Sequence, residues 1–133
     1  MKKILVAYDA TDGAHRALQS AIELAKVFTA EVGVVSVVPF HPGRALMDPW
    51  DDRPVHAEQL RQAREILVDA GIEPSLHEPI GDPATAIERL AEESGYDTIV
   101  IGTRGLGAIA RVMQGSVSQH VATHAKATVV IAR

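Results

Sequence analysis

The chain has 133 residues, a length that suits one domain able to bury roughly two-thirds of its unfolded surface, so folding needs neither a disulfide nor a structural metal. It contains no cysteine, which excludes disulfide frameworks, thiolate zinc sites and a cysteine nucleophile. Lys and Arg number 13 against 17 Asp and Glu, and the net charge of −4 argues against a general nucleic-acid binder, whose surface carries a basic face.

The opening MKKILVAYDATDG sets two lysines before a short apolar run. That run stops at Asp9, too short for a signal-peptide core, and no small-residue cleavage site follows. No apolar stretch nears the ~20 residues of a membrane helix. The expectation is a cytoplasmic protein that engages neither membrane nor nucleic acid and folds as a single domain over 1–133.

Residues 3–8 (KILVAY) are nearly continuous in apolar character, as in strands buried on both faces of a parallel sheet. Over 12–29, Ala14, Ala17, Leu18, Ala21, Ile22, Ala25 and Phe28 recur at steps of three and four, one face of a helix. Residues 32–38 (VGVVSVV) predict the second strand, stopped by Pro39. The proline-dense stretch 39–54, with Asp48, Asp51 and Asp52, predicts a long loop. Residues 56–70 predict a helix with Leu60, Ala63, Leu67 and Ala70 inward and Gly71 as its C-terminal cap.

Residues 72–80 predict a poor strand. Pro74 and Pro79 cannot donate to a ladder, so it belongs at a sheet edge. Asp82-Pro83 is a cap and first turn for a helix with Ala84, Ile87, Leu90 and Ala91 inward, ended by Gly95. Residues 97–102 predict a buried strand, 103–115 a glycine-containing loop, 116–124 a helix and 127–132 (ATVVIA) the last strand. Strands alternating with helices imply a parallel sheet in a three-layer α/β sandwich. In such folds ligands sit beyond the carboxyl ends of the strands, where the strand order reverses. That gathers Asp9 to Gly13, Val37 onward and Gly102 to Ser116 on one rim.

The segment from Gly102 to Ser118 carries the pattern G-x2-G-x9-G-S, with glycines at 102, 105 and 115 and Ser116 closing it. Glycines let a backbone approach a ligand closely, and successive amides form an anion-binding nest. A helix opening at Ser116 directs free N–H groups and a partial positive charge at the same place. Arg104 and Arg111 add charge-assisted donors. The competing reading is a loop that needs glycines only to turn, with Ser116 only a cap.

ILVAYDAT, VGVVSVV, the turn Gly81-Asp82-Pro83-Ala84 and the stretch GTRGLGAIARVMQGSVSQHVATHAKATVVIAR together resemble the universal stress protein family over essentially the whole chain. The resemblance implies the adenine nucleotide alpha-hydrolase-like fold: a five-stranded parallel sheet of order 3-2-1-4-5 with helices on both faces, in chains that are usually homodimers. The glycine pattern marks that family's ATP-binding members. By resemblance, Gly102, Gly105, Gly115 and Ser116 hold phosphates and ribose, and Val117 and Ser118 follow along the phosphate-facing helix start. Asp9 contacts the adenosine end, and the backbone of Val37 faces adenine. Ala7 stands where many members have proline, and Ser36 where many have histidine.

The same order puts ATVVIA at the other sheet edge. It is apolar, with neither proline nor charge, and bare edges pair. An antiparallel homodimer through 127–132 is expected.

His120 and His124, four apart, have a spacing that can chelate a metal but lack a matching acidic partner, which favours surface or packing roles. His41 and His56 flank the acidic loop with Asp48, Asp51 and Asp52, where a weak metal site is the alternative to the favoured reading of a solvated loop. Trp50 in that loop is either a lid or an anchor. The chain lacks a G-x-S-x-G elbow, a P-loop, and a G-x-G-x-x-G after the first strand. The functional expectation is an ATP-binding stress-response or regulatory protein, with Mg²⁺ bridging phosphate oxygens. Slow hydrolysis at most is expected, for lack of a dedicated base or arginine finger. AMP and cyclic AMP remain alternatives as ligand. The alternative in function is a nucleotide-independent dimeric interaction protein; an enzyme using the rim finds no catalytic group in the sequence.

Overall fold

A computed structural model describes residues 1–38, 53–102 and 126–133. Its elements run β1 (Lys3–Ala7), α1 (Asp12–Phe28), β2 (Glu31–Val35), α2 (Arg53–Asp69), β3 (Ser75–His77), α3 (Pro83–Ser94), β4 (Thr98–Gly102) and β5 (Thr128–Ala132). The strands form one parallel sheet in the order β3-β2-β1-β4-β5. The order expected from the family resemblance and the edge position deduced from Pro74 and Pro79 agree in this sheet.

Because side chains alternate across a strand, each central strand serves two cores. Ile4, Val6 and Tyr8 of the β1 segment, Val32 and Val34 of β2, and Val100 of β4 pack with Ala14, Ala17, Leu18, Ala21 and Ile22 of α1 and Leu60, Ala63 and Leu67 of α2. Leu5 and Ala7, Val35 and Val37, and Ile99 and Ile101 point the other way, onto Ala84, Ile87 and Ala91 of α3. Helices therefore cover both faces, the three-layer arrangement that the alternating pattern predicts. The predicted helix 116–124 and loop 103–115 lie outside the described residues, as does most of the loop 39–54.

Local chemistry sets the element ends. Thr11 caps α1, its side chain accepting from Ala14 N–H, and Thr29 ends the helix in the left-handed region with φ of 52°. Asp82 caps α3, with Pro83 at its start and Gly95 left-handed at its end. Gly71 takes φ of 87° beyond α2.

Four expectations shift. α2 begins at Arg53, inside the expected loop, because a proline in the first helical turn interrupts no intrahelical bond. Strand β2 ends at Val35, not residue 38, and β3 shrinks to Ser75–His77 between its two prolines. Phe28, expected on the inward stripe of α1, is 49% exposed at the last residue of the helix.

Candidate functional site

Strand order reverses between β1 and β4, so the crevice beyond their carboxyl ends is where such a fold takes a ligand. The β1–α1 turn forms one wall. Asp9 Oδ1 accepts from Thr11 N–H at 3.1 Å and from the Thr11 hydroxyl. The Thr11 oxygen in turn accepts from Ala14 N–H at 3.2 Å. Between them Ala10 adopts φ of 63°, a strained left-handed conformation for a residue with a side chain. The half-buried Asp9 carboxylate thus spends one oxygen on the turn, with Oδ2 outside it. Burial, and then the Asp9 charge, hold the Tyr8 phenol above its ordinary range, so it stays protonated. Its oxygen lies 3.3 Å from His15 Nε2.

Gly102, at the end of β4, is buried against the first turn of α1. A Cβ at this position would lie 2.5 Å from the carbonyl oxygen of Gly13. The first glycine of the pattern therefore answers a packing demand between two backbones, whatever it does for a ligand. Arg104, Gly105, Gly115, Ser116, Val117 and Ser118 lie outside the described residues, and with them most of the G-x2-G-x9-G-S pattern.

The third wall is the end of β2. Tyr8 N–H donates to Val35 C=O at 3.0 Å, the last backbone bond between the β1 and β2 segments among the described residues. On the other side the ladder continues: Ser36 N–H to His77 C=O at 3.0 Å and Val38 N–H to Pro79 C=O at 2.8 Å. Since N–H directions alternate along a strand, the Val37 N–H points toward the end of β1. No backbone acceptor takes it among the described residues. The Val37 side chain, 1% exposed, is committed to the core on the α3 side. What Val37 presents at the rim is main chain, near Asp9. The structure thus brings Asp9, Val37 and Gly102 to one end of adjacent strands.

One feature escapes sequence reasoning. The fully buried Ser36 hydroxyl lies 2.6 Å from His56 Nδ1 and 3.3 Å from Gln59 Oε1. His56 read as a flank of the proline-rich loop and as the first residue of the predicted helix 56–70, and no spacing in the sequence pairs it with Ser36. Among the described residues no group of three or more His, Asp or Glu is arranged to hold a metal ion, and no helix is long and apolar enough to cross a membrane.

The family model described as the universal stress protein family matches residues 1–133. A universal stress protein of Methanocaldococcus jannaschii is 30% identical over 139 aligned positions, covering 99% of this chain and 82% of that one. A solved universal stress protein from Archaeoglobus fulgidus superposes with a TM-score of 0.81 at 28% identity, covering 100% of this chain and 99% of the other. A further solved structure of an Archaeoglobus fulgidus universal stress protein, in complex with dAMP, gives a TM-score of 0.76 at 27% identity, with 100% and 98% covered. With the family model matched from end to end and the strand order reproduced, this chain belongs to the universal stress protein family.

Proposed function

We propose that the rim formed by Asp9, Val37 and Gly102 binds an adenine nucleotide, ATP with Mg²⁺ in the first instance, and that the chain is a nucleotide-dependent stress-response regulator. The observation that carries this reading is that, among the described residues, backbone bonding between the β1 and β2 segments ends at the Tyr8–Val35 bond. It leaves the Val37 main chain directed into the switch-point crevice, beside a carboxylate held by its own turn. Main-chain donor and acceptor at that place suit the edge of adenine, and the Asp9 Oδ2 suits a ribose hydroxyl. The dAMP complex of the Archaeoglobus fulgidus relative supports a nucleoside monophosphate moiety as the common part of the ligand.

The phosphates fall in this reading to Gly105, Gly115 and the Ser116 hydroxyl, with Arg104, Val117 and Ser118 around them. Gly102 is placed at the start of that loop. Mg²⁺ would be held chiefly through phosphate oxygens, whose charge it neutralises. Binding, not turnover, is the proposed activity, with hydrolysis slow at most. The molecule is proposed to act in the cytoplasm, with residues 1–133 forming one domain, and as a homodimer through 127–132.

The experiment is mass spectrometry of small molecules released from freshly purified protein, paired with calorimetric titration of ATP·Mg²⁺, AMP and cyclic AMP into stripped protein. Released ATP, or dissociation constants on the order of micromolar (about −8 kcal/mol), is the expected result. A bulky residue at Gly115 should abolish it. No released nucleotide and no heat with any of the three would overturn the reading in favour of a nucleotide-independent interaction protein.

A further inference from the structure

Ser36 is the residue before Val37 and is 0% exposed. A buried hydroxyl without a partner is costly, so its partners are structural commitments. Both come from one face of α2, three residues apart: His56 Nδ1 at 2.6 Å, in the first turn, and Gln59 Oε1 at 3.3 Å. Serine has a single proton. With the Gln59 carbonyl oxygen facing it, both contacts are hydrogen bonds when His56 donates from Nδ1 to Oγ and Oγ donates onward to Oε1. The Ser36 N–H is held separately by His77 C=O at 3.0 Å.

The peptide joining Ser36 to Val37 is planar, so holding the residue on each side of it limits the direction of the Val37 N–H. With Ser36 gripped by β3 through its backbone and by α2 through its side chain, and the Val37 side chain buried against α3, that N–H has little freedom. We infer that Ser36 and His56 are positioning residues for base recognition: they set the angle at which the Val37 main chain meets the base edge, and so the preference for adenine. This rests on the nucleotide reading above. Adenine offers an acceptor at N1 beside a donor at N6; guanine offers the reverse at N1 and O6. A main-chain donor held at one angle separates the two, and a loose one separates them less.

The test is titration of ATP and GTP into wild type, Ser36→Ala, His56→Ala, His56→Asn and His56→Gln, each checked for cooperative thermal unfolding. Ser36→Ala and His56→Ala are expected to weaken ATP binding by about tenfold while changing GTP binding little, so that discrimination falls. His56→Asn should restore discrimination, because its amide atoms sit one bond beyond Cγ, where Nδ1 sits; His56→Gln, one bond longer, should not. Loss of one oxygen in Ser36→Ala leaves the packing volume in place, so this variant decides the matter if His56→Ala does not fold. Wild-type affinity and discrimination in Ser36→Ala overturn the inference, as does an equal loss for both nucleotides. A wild-type chain that binds neither overturns the nucleotide reading and this inference with it.

Discussion

Gly102 and Gly13 meet backbone to backbone: a methyl group built on Gly102 would lie 2.5 Å from the Gly13 carbonyl oxygen and 2.7 Å from its carbon. Neither atom belongs to a flexible side chain, so neither can swing away. Gly102→Ala must lever the end of β4 from the first turn of α1, a form of overpacking that typically costs ~1–3 kcal/mol. Urea unfolding should show that loss. Calorimetry at a temperature where the variant is folded should show weakened nucleotide binding, since the two walls of the crevice move apart.

Midway along β2, Gly33 lies against the Tyr96 side chain. A Cβ there would come within 2.0 Å of the phenol oxygen. That oxygen is already placed 2.7 Å from His77 Nε2, so it has no vacant position to retreat to. Gly33→Ala should destabilise the fold by about 1–3 kcal/mol and leave the rim unaltered. Adding Tyr96→Phe removes the closest atom and should recover part of the loss, a non-additivity measurable in a double-mutant cycle.

The Asp9–Thr11 turn separates two effects. Thr11→Ala removes the cap of α1 and should cost about 1 kcal/mol. Ala10→Gly relieves the left-handed strain at φ of 63°, worth roughly 1–2 kcal/mol, against the added unfolded-state entropy of glycine at about 0.5–1 kcal/mol. The net expectation is a rise of about 0–1.5 kcal/mol, centred at about 0.75 kcal/mol, read from the urea midpoint at unchanged slope.

His77 supplies a pH dependence. Burial first, and the Lys3 ammonium second, hold its pKa below the ordinary value, so the native state keeps it neutral and accepting from the Tyr96 hydroxyl. The unfolded chain takes up the proton first. Stability from this group is therefore complete above about pH 6.5 and declines as pH falls through the lower native value. His77→Gln should flatten the stability profile between about pH 7 and pH 5. Asp97 acts elsewhere. Burial works against its ionised form, but Lys2 and Lys3 N–H, the Thr98 hydroxyl and the N-terminal ammonium outweigh that and lower its pKa. Its contribution is lost only in stronger acid.

The β5 edge is open to test through Ile131, 40% exposed on a strand that pairs only with β4 among the described residues. Ile131→Lys places a charge where a second strand would pair, a device edges use against association. Light scattering on the wild type at micromolar concentration should give a dimer, and on the variant a monomer. A monomeric wild type would sink the proposed dimer.

Much of the fold was legible because its signals are local and repeated. The inward stripe of α1 and the apolar runs of β1 and β4 follow from spacing alone. Pro74 and Pro79 placed β3 at an edge because a residue without N–H cannot serve an inner strand. Signals failed where one local rule masked another. Prolines at 49 and 54 read as loop, yet Pro54 sits in the first turn of α2. Phe28 fits the helical stripe, yet as the last residue of α1 it is left half exposed.

What the sequence determined by itself was the order of the described elements, the Asp82-Pro83 start and Gly95 end of α3, and the glycine pattern, because each depends on neighbours along the chain. Tertiary structure alone decided that Gly102 lies against Gly13, that Tyr96 reaches Gly33, and that the Ser36 hydroxyl meets His56. These pairs join strands and helices far apart in sequence. Their partners are chosen by the twist and register of a closed-packed sheet, which no spacing along one segment encodes.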